Sequence, residues 1–180
     1  MRNLGQLNQF LGLQAVYTAY GIHLNQSNYA KEILRKAAMA DCKPVHTPLP
    51  SKLPTAAADN APYSRPEFYR QLVGSLQYLT ITHPDLQFVV NYLCQHMPEP
   101  HTRHFQLLKR VLRYVQGSFL LGLPIIRSNL QLTAFADSDW ASDKTDRRFI
   151  TGYCAFLGDT IISWMVKKQT SVAWFSIEAE

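Results

Sequence analysis

Thirteen acidic and eighteen basic side chains are spread over the 180 residues, and two groups of them have types and spacing that can do chemistry. The first is a set of carboxylates in the C-terminal third. In Ala134-Phe135-Ala136-Asp137-Ser138-Asp139-Trp140, Asp137 ends an apolar stretch of alternating character. Asp139 follows two residues on, on the same side if the strand persists. Carboxylate oxygens at the end of a sheet suit Mg²⁺, and two-metal cleavage of a phosphodiester needs several of them to converge. Glu178 and Glu180 are the candidates to complete such a site. By spacing alone the plainer reading prevails, since acids at strand ends and in first helical turns also serve as turn formers and dipole partners.

The second group is cationic. At about 100° per residue, Arg103, Gln106, Lys109, Arg110 and Arg113 gather opposite an apolar stripe of Phe105, Leu108, Val111, Leu112 and Val115. Lys109 with Arg113, and Arg110 with Arg113, are like-charge neighbours, each pair unfavourable by roughly 0.2–0.5 kcal/mol. No acid lies between Thr102 and Gly117 to offset them. Such a face can lie along a phosphate backbone, each cation releasing a counterion; its ordinary alternative is a solvated helix face.

Other chemistries find little support. His101 and His104 are three apart with no third ligand following, and His46 and His83 adjoin prolines in turns; these read as packed or solvated rings. Tyr63, Phe68, Tyr69 and Tyr78 read as core. There is no Gly-rich phosphate loop, G-x-S-x-G elbow or paired Cys and His. Cys42, Cys94 and Cys154 are odd in number and far apart, against a disulfide framework or zinc ribbon and in keeping with a reducing compartment. With no signal-like or membrane-length apolar run, the expectation is an intracellular protein, cytoplasmic or nuclear. A net charge of +5 permits an anionic partner without demanding one.

Elements to position these groups follow from periodicity. Phe10–Tyr17 and Gly21–Leu24 read as strands of a hairpin turning at Thr18-Ala19-Tyr20-Gly21. Ser27 is placed to cap a helix bearing Tyr29, Ile33 and Ala37, and residues 43–62, with repeated prolines, read as a linker. Three helices should follow. Ser64-Arg65-Pro66-Glu67 has the capping-box pattern ahead of Tyr69, Leu72, Val73, Leu76 and Leu79. Thr82-His83-Pro84-Asp85 repeats the device before Phe88, Val89, Tyr92, Leu93 and His96, and Thr102 opens a third helix closed by Gly117. From Leu130 the period becomes two: Leu130–Asp137, Phe149–Leu157 and Ile161–Val166 are expected strands, with a turn at Gly158-Asp159-Thr160 and a helix starting at Ser176.

Several blocks resemble the Pol polyprotein of Ty1/copia-type retrotransposons. Phe10-Leu11-Gly12-Leu13, Gly21-Ile22-His23-Leu24-Asn25-Gln26 and Lys43-Pro44-Val45-His46-Thr47-Pro48 are similar to its late reverse-transcriptase segment. Tyr69-Arg70-Gln71-Leu72-Val73-Gly74-Ser75-Leu76-Gln77-Tyr78-Leu79 resembles its YRxLVGxLxYL block. His83-Pro84-Asp85 is similar to its R-P-D with His for Arg, and residues 107–117 resemble its KRILRYLKGT stretch. Asp137-Ser138-Asp139-Trp140-Ala141, Asp146-Arg147-Arg148, Thr151-Gly152-Tyr153-Cys154, Ile162-Ser163-Trp164 and Lys167-Lys168-Gln169 follow in the same order.

The resemblance implies an α+β chain: the end of a reverse-transcriptase palm (1–42), a proline-rich linker (43–62), a helical thumb or connection (63–120), and the N-terminal part of a ribonuclease H-like domain with a mixed sheet, truncated (130–180). It implies nucleic acid as partner, either RNA–DNA hybrid or template–primer, held in part by Arg103, Lys109, Arg110 and Arg113. It also implies Mg²⁺ as cofactor, with Asp137 and Glu180 in the positions of the first aspartate and the helix glutamate. The adjacent Asp pair of the polymerase does not occur in the chain, and the later ribonuclease H carboxylates would lie past its end. The expectation is therefore a polypeptide without catalysis of its own, or a nucleic-acid-binding module that has lost catalysis. Phe149-Ile150, Met165-Val166, Trp174-Phe175 and Ile177 depart from the family's small polar residues, which suggests a decayed copy whose last domain packs poorly.

Overall fold

The computed structural model describes residues 5–51, 60–139 and 148–170. The order of elements is β1 (Gln9–Phe10), β2 (Leu13–Thr18), β3 (Gly21–Asn25), α1 (Ser27–Lys36), α2 (Pro66–Leu79), a 3-10 turn (Pro84–Leu86), α3 (Gln87–Gln95), α4 (Thr102–Ser118), β4 (Gly122–Ile126), β5 (Leu132–Asp139), β6 (Ile150–Leu157) and β7 (Thr160–Lys168). The chain is α+β, with a four-stranded sheet ordered β1-β2-β3-β4 and a three-stranded sheet ordered β5-β6-β7. It divides into two compact units, Met1–Thr18 with Ile22–Leu123, and Ala19–Gly21 with Pro124–Glu180.

In the first unit α1 packs on α2 and α4, while α3 packs on α2 and α4. Helical spacing delivers the buried residues: Ala30, Ile33 and Leu34 from α1, Tyr69, Leu72, Val73, Leu76 and Leu79 from α2, Val89, Val90 and Leu93 from α3, and Leu107, Leu108, Val111, Leu112 and Val115 from α4. Each of the Val, Leu and Ile side chains among them contributes roughly 1.5–3 kcal/mol by leaving water. A buried polar chain threads this core. Gln26 donates from Nε2 to Thr82 Oγ1 at 2.9 Å and to the carbonyls of Leu79 and Tyr78 at 3.3 Å. Thr82 Oγ1 lies 3.0 Å from His83 Nδ1, and His83 Nε2 lies 3.3 Å from the Ser118 carbonyl. Gln26, Thr82 and His83 thus each find a polar partner in the interior.

The helix starts differ from the sequence expectation. Ser27 is the first helical residue, and its hydroxyl donates to Gln14 Oε1 at 2.8 Å while its N–H goes to Asn25 Oδ1 at 3.2 Å. Neither Ser64 nor Thr82 caps: α2 starts on Pro66 after Arg65, and α3 is entered through the 3-10 turn, because Thr82 is committed to the buried chain. At α4 the cap residue is His101, whose N–H donates to His104 Nδ1 at 3.0 Å. Gly117 does not end α4, which runs to Ser118; a Cβ there would sit 3.1 Å from Pro44 Cβ, so the glycine admits the 43–45 segment against the helix.

The expected first strand is two, since Leu11 and Gly12 both take positive φ (47° and 77°) and fold β1 back on β2. Strand β4 lies where a connection was expected. It runs antiparallel to β3, and a Cβ on Gly122 would come within 2.1 Å of the Leu24 carbonyl oxygen.

In the second unit β5, β6 and β7 form an antiparallel meander, with Asp137 opposite Gly152, Asp139 opposite Ile150 and Cys154 opposite Trp164. The expected sheet was mixed; every described pairing in it is antiparallel. Among the described residues none in this unit is buried as a whole, and Leu132 (67%) and Phe135 (61%) are largely exposed. The expected helix at 176–180, with Trp174, Phe175, Ile177 and Glu178, lies outside the described residues, as do Trp140 and the 141–147 segment.

Candidate nucleic-acid interface

Helix α4 presents its cations as its periodicity dictates, but they are not equivalent. Arg113 donates from Nε to the Lys43 carbonyl at 2.7 Å, and the Val45 N–H returns a bond to the Arg113 carbonyl at 3.3 Å. Arg110 donates from Nη2 to Thr47 Oγ1 at 2.8 Å, and its Nε is buried without a partner among the described residues. These two side chains therefore tie the proline-rich segment onto α4, a role that charge patterning did not reveal. The like-charge cost along the helix is offset by carbonyl and hydroxyl acceptors of that segment. Lys109 is exposed, with its ammonium 5.4 Å from the Phe105 ring centre. Arg103 lies with Nε 3.1 Å from His104 Nε2. All four expected cations thus share one helix, two of them pinned and two nearer its N-terminal end.

Beside Arg103 the histidines form a packed group rather than a ligand set. His104 is buried and stacks on His96 with ring centres 3.8 Å apart and planes at 12°, and the His101 ring meets it edge-on at 5.4 Å. Face-to-face stacking turns the nitrogens of His96 and His104 away from a common centre. Among the described residues, no three His, Cys, Asp or Glu side chains are placed to hold a metal ion.

Asp137 stands exposed near the end of β5, its Oδ1 accepting the Ser138 N–H at 2.9 Å. Strand β5 persists through Asp139. Glu180, the second expected metal ligand, lies outside the described residues. Mg²⁺ requires an octahedral set of oxygens. Of such a set the described side chains show Asp137 alone at this strand end, and no chemical step is assigned to it.

Two residues of the Tyr69-Arg70 block have roles that periodicity could not give. The Tyr69 hydroxyl donates to the Leu93 carbonyl at 2.8 Å, and burial pushes that phenol's pKa upward. Arg70 donates to the Met97 and Pro98 carbonyls at 2.8 and 3.1 Å. Together they fasten the end of α3 and the following turn to α2, which fixes where α4 begins. Asp85 accepts from the Tyr114 hydroxyl, whose pKa is pushed up to about 12, first by burial and then by that carboxylate.

No family model and no solved structure matches the chain. It is 49% identical, over its whole length and 75% of the relative's, to an uncharacterized mitochondrial protein of Arabidopsis thaliana. It is 41% identical over 97% of its length to the retrovirus-related Pol polyprotein from transposon RE1 of the same plant. It is 32% identical over its whole length to the corresponding polyprotein from transposon TNT 1-94 of Nicotiana tabacum. The chain spans 12% and 14% of those two polyproteins. With that identity sustained from end to end, the chain belongs to the Pol polyproteins of Ty1/copia-type retrotransposons.

Proposed function

We propose that the chain corresponds to the late part of a reverse transcriptase followed by the beginning of a ribonuclease H-like domain, and that its helical unit holds an RNA–DNA hybrid or template–primer duplex without cutting it. The observation that carries this reading is a cationic helix, α4, set rigidly on a buried core in a chain related along its length to Pol polyproteins. Arg103 and Lys109 are its principal phosphate contacts. Arg113, whose Nε is committed to Lys43, reaches the backbone only with its terminal nitrogens. Asp137, with Glu180, is on this reading a ligand position for Mg²⁺ in the ribonuclease H-like part.

Binding of a labelled RNA–DNA hybrid across a salt series tests it. Each duplex phosphate contact contributes about 0.9 to the slope of log affinity against log salt. Arg103→Gln and Lys109→Gln should each remove about that much. Absence of hybrid binding at low salt refutes the holding role. Hybrid cleavage with Mg²⁺ or Mn²⁺ that is abolished by Asp137→Asn refutes the non-cutting part.

A further inference from the structure

A cleft of about 540 Å³ opens where the end of α1 meets the starts of α2 and α4. Its floor is apolar, from Met39, Leu72, Leu112 and the rings of Phe68 and Phe105, and its rim carries Lys36, Arg65 and Lys109. No carboxylate lines it among the described residues. The rim cations differ in availability. Lys36 is paired with Glu32 at 2.8 Å and so offers little net charge. Arg65 lies over Phe68, its guanidinium carbon 4.8 Å from the ring centre, and Lys109 lies over Phe105 at 5.4 Å. The two rings are themselves neighbours, with centres 6.4 Å apart. A cation resting on a ring keeps its outward N–H groups for an anion while losing part of its rotamer freedom, so two donors are held beside one apolar hollow.

We infer that this cleft is a binding site for single-stranded nucleic acid, taking one unpaired nucleotide with its phosphate on Arg65 and Lys109 and its base against the apolar floor. The size is within the range of small-ligand pockets. The shape separates it from the duplex contact proposed above: a duplex offers phosphates to a convex helix face, but its bases are stacked inward and cannot fill a hollow. A single strand can present phosphate and base together, the pairing that such proteins recognise. The inference uses Lys109 in common with the duplex reading but rests on Arg65 and Phe68, which that reading does not use.

The test measures anisotropy of fluorescein-labelled oligothymidylate and of a labelled RNA–DNA hybrid with the 180-residue chain over a salt series. Arg65→Gln should weaken oligothymidylate binding about three- to fivefold and lower its salt slope by about 0.7, leaving hybrid binding unchanged. Arg65 is exposed, so the variant keeps the fold, which its thermal melt verifies; Arg65→Lys should restore most of the slope. Single-strand binding without hybrid binding would sink the duplex reading and leave this one standing. Equal loss on both ligands, no oligothymidylate binding, or equal binding of an oligoglutamate peptide overturns the assignment, as does displacement by inorganic phosphate alone at the concentration that titrates the site.

Discussion

Acid should destabilise the helical unit chiefly through His104. The ring is 2% exposed. Burial, and then the nearby His96, Arg103 and His101, lower its pKa from the ordinary 6.5 to about 3. Geometry gives the same sense, because Nδ1 faces the His101 N–H at 3.0 Å and Nε2 faces the Arg103 Nε–H at 3.1 Å. The neutral ring has one unprotonated nitrogen and satisfies one of these donors, whereas the imidazolium satisfies neither. In the unfolded chain the ring returns to its ordinary value, so between the two values the unfolded state binds one more proton than the folded state. Stability is therefore whole above about pH 6.5 and declines by about 1.4 kcal/mol per unit as pH falls toward the folded value. From about pH 7 to about pH 5 the loss from this ring is about 2 kcal/mol.

Urea unfolding followed by helical circular dichroism at those two pH values measures it, with His104→Gln as the comparison. Gln can still accept the His101 N–H but cannot titrate. The variant should be less stable at neutral pH, and its gap from the parent should narrow by about 2 kcal/mol at the lower pH. His96→Gln, which removes one of the neighbours that lower the His104 pKa but keeps the titrating ring, should reduce the pH dependence without abolishing it. Parallel stability curves for parent and His104→Gln would refute the reasoning, since other titrating groups are common to both.

Other outcomes follow from single contacts. Ala38 holds a left-handed φ of 53° at the end of α1, so Ala38→Gly should raise stability by about 0.5–1 kcal/mol and the melting temperature with it; an unchanged or lower melt contradicts that. Gly122→Ala places a Cβ against the Leu24 carbonyl of β3 and should cost about 1–3 kcal/mol in urea titration. Tyr69→Phe removes the hydroxyl bond to Leu93, whose carbonyl keeps the His96 N–H, so the loss should be only about 1 kcal/mol. Arg113→Gln releases the Lys43 carbonyl, and the peptide containing Val45 should then exchange its amide hydrogens faster by mass spectrometry, with the remaining α4 amides unaffected.

The helices and the β5–β7 meander were legible because side-chain periodicity is enforced by burial or by alternation: Leu72, Val73, Leu76 and Leu79 could face the core only as a helix. Cap assignment failed where a polar side chain had a choice of partners. Ser27, Ser64 and Thr82 each suit an N-cap locally, yet Thr82 is worth more in the interior, where the Gln26 amide and the His83 ring would otherwise be unsatisfied. Strand β4 was hidden because Gly122-Leu123-Pro124-Ile125-Ile126 neither alternates nor lacks proline, and it is specified by pairing with a strand about a hundred residues earlier.

The cationic face of α4 shows most clearly what spacing cannot decide. Helical periodicity puts Arg103, Lys109, Arg110 and Arg113 on one side of the helix, and a phosphate backbone, plain solvent or another part of the chain would all be compatible with that pattern. What distinguishes them is acceptor geometry. The Lys43 carbonyl and the Thr47 hydroxyl satisfy Arg113 and Arg110, and Gly117 supplies the close approach to Pro44 that brings those acceptors within reach. The same prolines that mark residues 43–50 as a connection leave its carbonyls free of secondary structure, and hence available as acceptors. A cluster of four cations is thereby divided: Arg110 and Arg113 hold the 43–47 segment to the helix, Arg103 lies against the His104 ring, and Lys109 lies exposed over Phe105.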